Sequence, residues 1–510
     1  MSKSAIDLLN ALRQQGASIG GLGADSRALR PGDVFIAYPG ATADGRQHIG
    51  EAVARGAAAV LWEREGFSWN EAWRVPNVAV EGLRGLAGWI AHEICGRPSE
   101  KLWIAGVTGT NGKTSCSHWI SQALSSLGRR TAVIGTLGSG FPAVAGADAA
   151  AGLASSVNTT PDAIELHRLL AELLQSGAQG VSMEVSSIGL DQGRVNGVQF
   201  DVALFTNFSR DHLDYHGDME RYAAVKAQLF DTPGLSGAVL NMDDVLGVRI
   251  AQKLAGGKVA CAGYSAHAGV ASAAGLEYYL EAENIRLTQQ GLSFDLASSW
   301  GRAEVHSALL GRFNVANLLG VLGVLLGAGV SLAPAVAALA ALTSPPGRMQ
   351  RLGGGGKPLA VIDYAHSPDA LEQVLAGLRP LVAADAGRLI CVFGCGGDRD
   401  RGKRALMGAI AARNADQVVL TSDNPRGEDP LEIITDILEG VLGEDRQPGQ
   451  APLVIANRRE AIATTIAGAA AGDVVLIAGK GHEDYQESAG RRVPFSDAAE
   501  VTEALSAWTR

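Results

Sequence analysis

The stretch Lys101-Leu-Trp-Ile-Ala-Gly-Val-Thr-Gly-Thr-Asn-Gly-Lys-Thr-Ser115 constrains this chain more than any other. Leu102 to Val107 is an apolar run that reads as a buried strand. Glycines at 106, 109 and 112 set a tight turn, and Ser115 to Leu127 reads as the helix that follows. A strand, a glycine loop and a helix in succession aim backbone N–H groups and a helix N-terminus at one spot, where phosphate oxygens bind. Lys113 adds a positive charge for the outer phosphates, and the Thr114 hydroxyl suits a magnesium ion. The usual spacing, G-x-x-x-x-G-K-[ST], needs glycine at 107, but this chain has Val107, with the glycine displaced to 106. The bland alternative is a glycine turn followed by a chance Lys-Thr. The flanking strand and helix favour a variant phosphate loop.

At 510 residues the chain exceeds one hydrophobic core, and three or so domains are expected. The net charge of −10 argues against bulk attraction to nucleic acid, so an anionic ligand must be held by local groups. Five cysteines (95, 116, 261, 391 and 395) form no metal-like spacing, and an odd count argues against a disulfide framework. The N-terminus lacks the basic and apolar regions of a signal peptide, so a cytoplasmic chain is expected. Leu318 to Leu342 carries no charge and is long enough to span a bilayer. Gly327-Ala-Gly-Val-Ser-Leu-Ala-Pro334 breaks it midway, with Ser331 as an N-cap and Pro334 in the next first turn. Two short buried helices are therefore expected, not a membrane span.

Residues 1–98 open with an amphipathic helix, Ile6 to Gln15, and carry two polar turns, Asp25 to Asp33 and Pro39 to Arg46. These turns suit a small-ligand site, and ordinary turn chemistry explains them equally well. From 99 to 345, strands are predicted at Thr131 to Gly135, Gly180 to Val185 and Phe200 to Thr206. Phe141 to Val157 reads as a loop, and Asn158-Thr159-Thr160-Pro161 as a helix entry with proline at the first helical position. Alternating strands and helices predict a mostly parallel sheet whose ligands gather beyond the strands' carboxyl ends, where Lys113, Thr114, Glu184 and His212 all fall. Glu184 is costly to ionise at the end of a buried strand unless a cation meets it. Magnesium is favoured over an arginine, because a nucleotide loop in the same sheet already requires that ion. His212 reads equally as a ligand or as a hydrogen-bonded structural histidine.

From 346 to 510 the rhythm restarts. Strands at Leu359 to Asp363, Leu389 to Phe393, Gln417 to Thr421 and Asp473 to Ala478 each lead into a polar loop, which predicts a second open α/β domain with a ligand edge. Gly394-x-Gly-Gly lacks the full dinucleotide spacing, so NAD is rejected. Asn424 is pushed toward extended geometry by Pro425, which stiffens the loop. Arg426 is then presented on a rigid turn, either to a ligand carboxylate or to Glu428 or Asp429.

Together these stretches resemble the Mur ligases, the ATP-dependent amide-forming enzymes of bacterial peptidoglycan synthesis. Gly106-Val-Thr-Gly-Thr-Asn-Gly-Lys-Thr114 looks like the family's nucleotide loop, displaced glycine included. Met183-Glu-Val-Ser-Ser187, Asp211-His-Leu-Asp-Tyr-His-Gly217, Gly311-Arg-Phe-Asn-Val-Ala-Asn317, Pro346-Gly-Arg348 and Asp363-Tyr-Ala-His366 resemble its other blocks. Asp423-Asn-Pro-Arg426 looks like the signature of the branch that adds meso-diaminopimelate to UDP-N-acetylmuramoyl-L-alanyl-D-glutamate.

The resemblance implies an α/β, three-domain architecture: a UDP-sugar-binding domain (1–98), a central P-loop ATPase domain with a parallel sheet (99–345) and a C-terminal Rossmann-like amino-acid-binding domain (346–510). It implies ATP at Gly109, Thr110, Asn111, Gly112, Lys113, Thr114, Ser115, Asn317 and Arg348. It places the UDP-muramoyl dipeptide at Ala24, Ser26, Ala41, Thr42, Ala43, Asn158, Thr159, Thr160, Ser186, Gln192 and Arg194. Diaminopimelate falls at Arg399, Asp423, Asn424, Pro425, Arg426, Gly479 and Glu483. Magnesium falls at Thr114, Glu184, His212 and a carbamylated Lys226, and the catalytic set is Lys113, Glu184, His212, Lys226, Arg348 and Asp363. Sequence alone favours an ordinary helix-surface lysine at 226; a carbamate is implied by the resemblance, since an ammonium repels magnesium whereas a carbamate supplies an anionic oxygen. A monomer with small-molecule substrates, no nucleic acid and no membrane insertion is expected. The rivals are a folate-glutamylating ligase of the same superfamily and a nucleotide-switch or transport ATPase.

Overall fold

The computed structural model describes residues 2–40, 43–142, 152–156, 158–382, 387–444 and 451–509. Three large sheets and a two-stranded hairpin, Tyr485–Ser488 with Arg491–Pro494, organise them. The first holds Gly21–Gly23, Asp33–Ala37, Ala59–Glu63 and Asn77–Val80, all parallel and in chain order. Successive side chains point to opposite faces of a strand. Val34 and Ile36 accordingly pack with Leu9, Leu12 and Ile90 from the helices Ser2–Gln14 and Leu83–Ile94, while Phe35 and Ala37 pack with Ile49 and Ala52 on the other face.

The second sheet has seven parallel strands in the order Tyr278–Thr288, Ala260–Ser265, Gly237–Asn241, Val202–Phe205, Trp103–Thr108, Gly180–Glu184 and Thr131–Gly135. Antiparallel strands extend it at both edges: Gly291–Ser298 and Gly301–Ser307 at one, Gly138–Gly140 and Leu153–Ala154 at the other. Buried clusters cover both faces, as a parallel sheet requires.

The uncharged run resolves into two helices, Phe313–Gly327 and Leu332–Ala340. The first is apolar nearly all round because it is buried all round. Among the described residues, no helix is long and apolar enough to cross a membrane. Ser331 stands at the expected N-cap, but its side chain makes no capping bond. The helix expected to start at Pro161 begins later, at Ala163, because the Asp162 carboxylate caps it by accepting from the N–H groups of Ile164 and Glu165. Of the predicted loop Phe141 to Val157, residues 143–151 and 157 lie outside the described residues, and Leu153–Ala154 forms an edge strand.

The third sheet runs Gln350–Gly353, Leu359–Asp363, Val474–Ala478, Leu389–Phe393, Gln417–Leu420 and Leu453–Val454. All are parallel except the first, so the polar loops after Asp363, Phe393, Leu420 and Ala478 gather on one edge. Arg458 fixes the bases of two of these loops. Fully buried, it pairs with Asp497 at 2.7 Å, donates to the Ala478 carbonyl at 2.9 Å and reaches the Ser422 carbonyl at 3.4 Å. Replacing Arg458 with Met leaves the Asp497 charge buried and unpaired, so urea unfolding should show a loss of about 3–5 kcal/mol.

Candidate active site

The displaced glycine of the phosphate loop has a packing role. Gly106 lies inside the strand Trp103–Thr108, where a Cβ would come within 2.8 Å of the Phe200 ring. The turn itself is made by Gly109 (φ 151°) and Gly112 (φ 85°), in backbone regions closed to most L-residues. A Cβ at Gly109 would collide with Thr206 Oγ1, and one at Gly112 would sit 2.7 Å from Asn317 Oδ1. Thr206 and Asn207, just past the next strand, fix the loop from outside. Thr206 Oγ1 donates to the Asn111 carbonyl (2.6 Å), the Asn207 carbonyl accepts from Thr110 N, and Asn207 Oδ1 accepts from Asn111 N (both 2.8 Å). The helix starts at Lys113, so the N–H groups of Lys113, Thr114 and Ser115 have no carbonyl behind them and remain free to meet an anion.

Lys113 Nζ donates to the carbonyls of Gly109 and Thr110, both at 2.8 Å, which leaves one of its three N–H donors over. Strand register sets Glu184 beside Val107, at the mouth of the loop. There its Oε2 accepts from Thr114 Oγ1 (3.0 Å) and Thr136 Oγ1 (3.1 Å), and its Oε1 from Thr136 N (2.7 Å). No lysine or arginine pairs with this buried carboxylate among the described residues. Arg348, arriving from the third sheet, stops at Thr114 Oγ1 instead, 3.2 Å away, with its guanidinium 4.7 Å from the centre of the Tyr364 ring. Asp363 holds this approach. Its two oxygens accept from Met349 N (2.8 Å) and Ala365 N (2.9 Å), and burial raises its pKa.

Lys226 is buried, contrary to the helix-surface reading. Its Nζ donates to the Gly109 carbonyl at 2.8 Å and lies 4.5 Å from the Tyr222 ring centre; burial, aided by the charge of Lys113, pushes its pKa well below that of an ordinary lysine. Tyr222 OH lies 3.3 Å from Thr110 Oγ1, and its ring stacks on His216. His212 is half-exposed, 3.5 Å from Asp211, and lies edge-on to Tyr222, with no contact to Thr114 or Glu184. Its pKa is lowered by burial, against the pull of Asp211. The residues expected to hold magnesium therefore fall into a close oxygen pair, Thr114 and Glu184, with Lys226 and His212 around the loop. Among the described residues no group of three His, Cys, Asp or Glu side chains is arranged to hold a metal.

The residues expected to meet the dipeptide form one strip leading to Glu184. Thr159 Oγ1 lies 3.1 Å from Thr136 Oγ1, and Thr160 Oγ1 donates to the Glu184 carbonyl (3.0 Å) and lies 3.1 Å from Ser186 Oγ. Arg194 donates to the Thr160 carbonyl (2.8 Å) and to Gln192 Oε1, and Asn158 is exposed at the strip's end. In the first unit, Ser26 is buried with its hydroxyl donating to Glu51 at 2.8 Å, while Ala24 and Ala43 are exposed. Ala41 and Thr42 lie outside the described residues.

On the third sheet's edge, Arg426 occupies left-handed backbone (φ 52°), held by its N–H on the Glu487 carbonyl (3.0 Å) and its carbonyl on Ala489 N (2.7 Å). It pairs with neither Glu428 nor Asp429. Glu428 is held by Arg401 and Arg404, and Asp429 caps the helix Pro430–Leu442. Arg426 Nη1 donates to the Gly397 carbonyl (2.8 Å), and both Arg426 and the exposed Arg399 flank Gly396. Asp423 Oδ1 accepts from Asn424 N (2.8 Å), Pro425 is buried, and a Cβ at Gly479 would sit 2.5 Å from Asp423 Oδ2. Glu483 accepts from Asn424 Nδ2 at 2.7 Å.

Two features escaped sequence reasoning. Asp369, in the first turn of the helix Pro368–Leu378, accepts from Asn111 Nδ2 (3.1 Å) and Ser209 Oγ (3.0 Å), joining the third unit to the phosphate loop. Lys480 is fully buried beneath Asn424. Asp369 gave no local signal, since an acidic residue in a first helical turn is expected on dipole grounds alone. Lys480, between two glycines after a buried strand, could have been flagged as a lysine in a tight turn.

Fold and site together define a three-part α/β enzyme built around a nucleotide phosphate loop, with the C-terminal unit brought against that loop. Residues 18–94 match the Mur ligase family catalytic domain, 107–325 the Mur ligase middle domain and 347–481 the glutamate ligase domain of Mur ligases. The chain belongs to the Mur ligase family, whose members are ATP-dependent ligases. It is 47% identical to the UDP-N-acetylmuramoyl-L-alanyl-D-glutamate–2,6-diaminopimelate ligase of Nitrosomonas europaea, over 97% of this chain and 94% of that protein. It is 50% identical to the enzyme of the same name from Ectopseudomonas mendocina, over 97% and 96%. A solved structure with that name superposes with a TM-score of 0.69 at 38% identity, covering 96% of this chain and 94% of the other. The Thermotoga maritima MurF ligase solved in complex with ADP shares the fold, with a TM-score of 0.60 at 18% identity, covering 96% and 97%.

Proposed function

We propose that this chain joins meso-2,6-diaminopimelate to the D-glutamyl γ-carboxylate of UDP-N-acetylmuramoyl-L-alanyl-D-glutamate, consuming ATP. The observation that carries this reading is the meeting of the two ligand edges. Arg348 touches Thr114 and Asp369 touches Asn111, so the Asp423–Arg426 loop belongs to the body that closes on the phosphate loop. The relatives' shared name supplies the substrates. In this reading residues 1–98 bind the UDP-sugar through Ser26 and residues 41–43, 99–345 bind ATP, and 346–510 bind the amino acid.

A carboxylate resists an amine because its carbonyl carbon is electron-rich and oxide leaves poorly. The γ-carboxylate oxygen therefore attacks the γ-phosphorus of ATP, ADP departs, and an acyl phosphate results. Lys113, Arg348 and the helix N-terminus spread the developing charge. The diaminopimelate amine then attacks the acyl carbon, loses a proton and expels phosphate. Thr159, Thr160, Ser186, Gln192 and Arg194 hold the dipeptide, with Asn158 at the rim, while Arg399, Arg426 and Glu483 hold diaminopimelate. The protein's contribution is chiefly positioning. The Thr114 hydroxyl and Glu184 carboxylate would hold a magnesium ion, which prefers hard oxygen donors, with a carbamate on Lys226 and His212 proposed to complete the set; the ion would neutralise phosphate charge. Lys226 fits that modification because burial disfavours its ammonium form and so favours the free amine that reacts with carbon dioxide.

Phosphate release by the purified chain, with each substrate withheld in turn, tests the reading. Release should require ATP, the UDP-muramoyl dipeptide and diaminopimelate together, and equal release with ATP alone would identify a plain ATPase. Lysine in place of diaminopimelate leaves Arg426 without its carboxylate, so kcat/KM should fall about tenfold or more. Equal use of lysine would remove Arg426 from the role. Lys226→Ala should lose activity that short carboxylic acids partly restore; an unimpaired variant would reject the carbamate.

A further inference from the structure

Two lysines are buried among the described residues, Lys226 and Lys480. The ammonium of Lys480 ends between two side chains. Its Nζ donates to Asn424 Oδ1 at 3.1 Å and to Glu483 Oε2 at 3.0 Å, with the Tyr485 ring centre 5.5 Å away. Asn424 Nδ2 donates to the same Glu483 oxygen at 2.7 Å, so all three side chains bond to one another. Asn424 Oδ1 also accepts from Glu487 N at 2.9 Å, which ties the triangle to the hairpin carrying the backbone partner of Arg426. Glu483 thus spends one carboxylate oxygen on the triangle. Its Oε1 makes no hydrogen bond among the described residues and is left for an incoming donor.

Each bond restrains the others. Without Lys480, Glu483 would be a largely buried anion with one donor, and the Asn424 amide would lose the charged contact that fixes which of its ends faces the carboxylate. We propose that Lys480 is a positioning residue for the acceptor amino acid: it never contacts the substrate, but it locks Asn424 and Glu483 so that Glu483 Oε1 receives an ammonium group while Arg426 receives a carboxylate. This rests on the amine-site reading given above. It also separates orientation from charge. Deleting the Lys480 ammonium makes the site more negative, and a purely electrostatic role would therefore tighten binding of a substrate through its ammonium groups. A positioning role weakens it.

The test is steady-state kinetics of full-length Lys480→Met beside the wild type, varying each substrate in turn. Methionine keeps the buried stem and removes the donors. The KM for diaminopimelate should rise about tenfold or more, as expected for losing charged hydrogen bonds in a buried network. Those for ATP and the UDP-muramoyl dipeptide should stay within about twofold. Lys480→Gln, which retains an uncharged donor, should show a smaller rise confined to the same substrate, and it carries the comparison if the Met variant does not melt cooperatively. An unchanged or lowered KM for diaminopimelate, or an equal rise for all three substrates, would overturn the proposal. A wild type that releases no phosphate with diaminopimelate would instead fail the functional reading, so the two failures are distinguishable.

Discussion

The central and C-terminal units of this molecule meet at one hydroxyl. Thr114 Oγ1 donates to Glu184 on the central sheet and accepts from Arg348, which arrives from the C-terminal sheet. The Arg348 guanidinium lies against Tyr364, and the Tyr364 ring packs on His482 at 5.2 Å, whose pKa burial lowers to about 4. His482 follows Lys480 in the loop that clamps Asn424 and Glu483. A Cβ at Gly347 would collide with the backbone of Gly481 and His482, so only glycine lets these two chain segments approach so closely. Contacts thus run without a gap from the carboxylate beside the phosphate loop to the carboxylate proposed to meet the amine.

Rigidity on the amine side comes from buried charge. Arg458 with Asp497, Arg404 with Glu428, and Lys480 with Glu483 bracket the loops after Leu420 and Ala478. Buried ion pairs contribute little net stability compared with apolar packing, because desolvation offsets their attraction. Their value here is directional. Each fixes a loop that carries Arg426 or Glu483, the residues proposed to meet the amino acid, in a reaction that depends on placing three substrates and asks little covalent chemistry of the protein.

Much of this was legible in the sequence, for physical reasons that differ by element. Strands buried on both faces are continuous apolar runs, so Thr131–Gly135, Leu359–Asp363 and Leu389–Phe393 fall where the pattern puts them. The loops beyond them were readable because polar residues after such a run have few structural excuses. Local patterns misled where a tertiary partner took over. Gly106 looked like a loop glycine but makes room for Phe200, and Pro161 looked like a helix start but precedes the true cap, Asp162. Lys226 looked like a surface residue because Gly109, whose carbonyl its ammonium meets, lies 117 residues earlier in the chain. Asp369 acts only across elements, through Asn111 and Ser209, and periodicity carries no trace of that; Lys480 shows in the sequence as a lysine between two glycines, but its partner Asn424 lies 56 residues away.

In the proposed reaction a carboxylate activated at the phosphate loop is handed, within one site, to an amine chosen by the C-terminal unit. The most direct measurement labels the D-glutamyl γ-carboxylate of the UDP-muramoyl dipeptide with oxygen-18 and follows the label during turnover with diaminopimelate. An acyl phosphate intermediate predicts one labelled oxygen in each phosphate released, in step with amide formation. Phosphate carrying no label while amide accumulates would rule out the acyl phosphate.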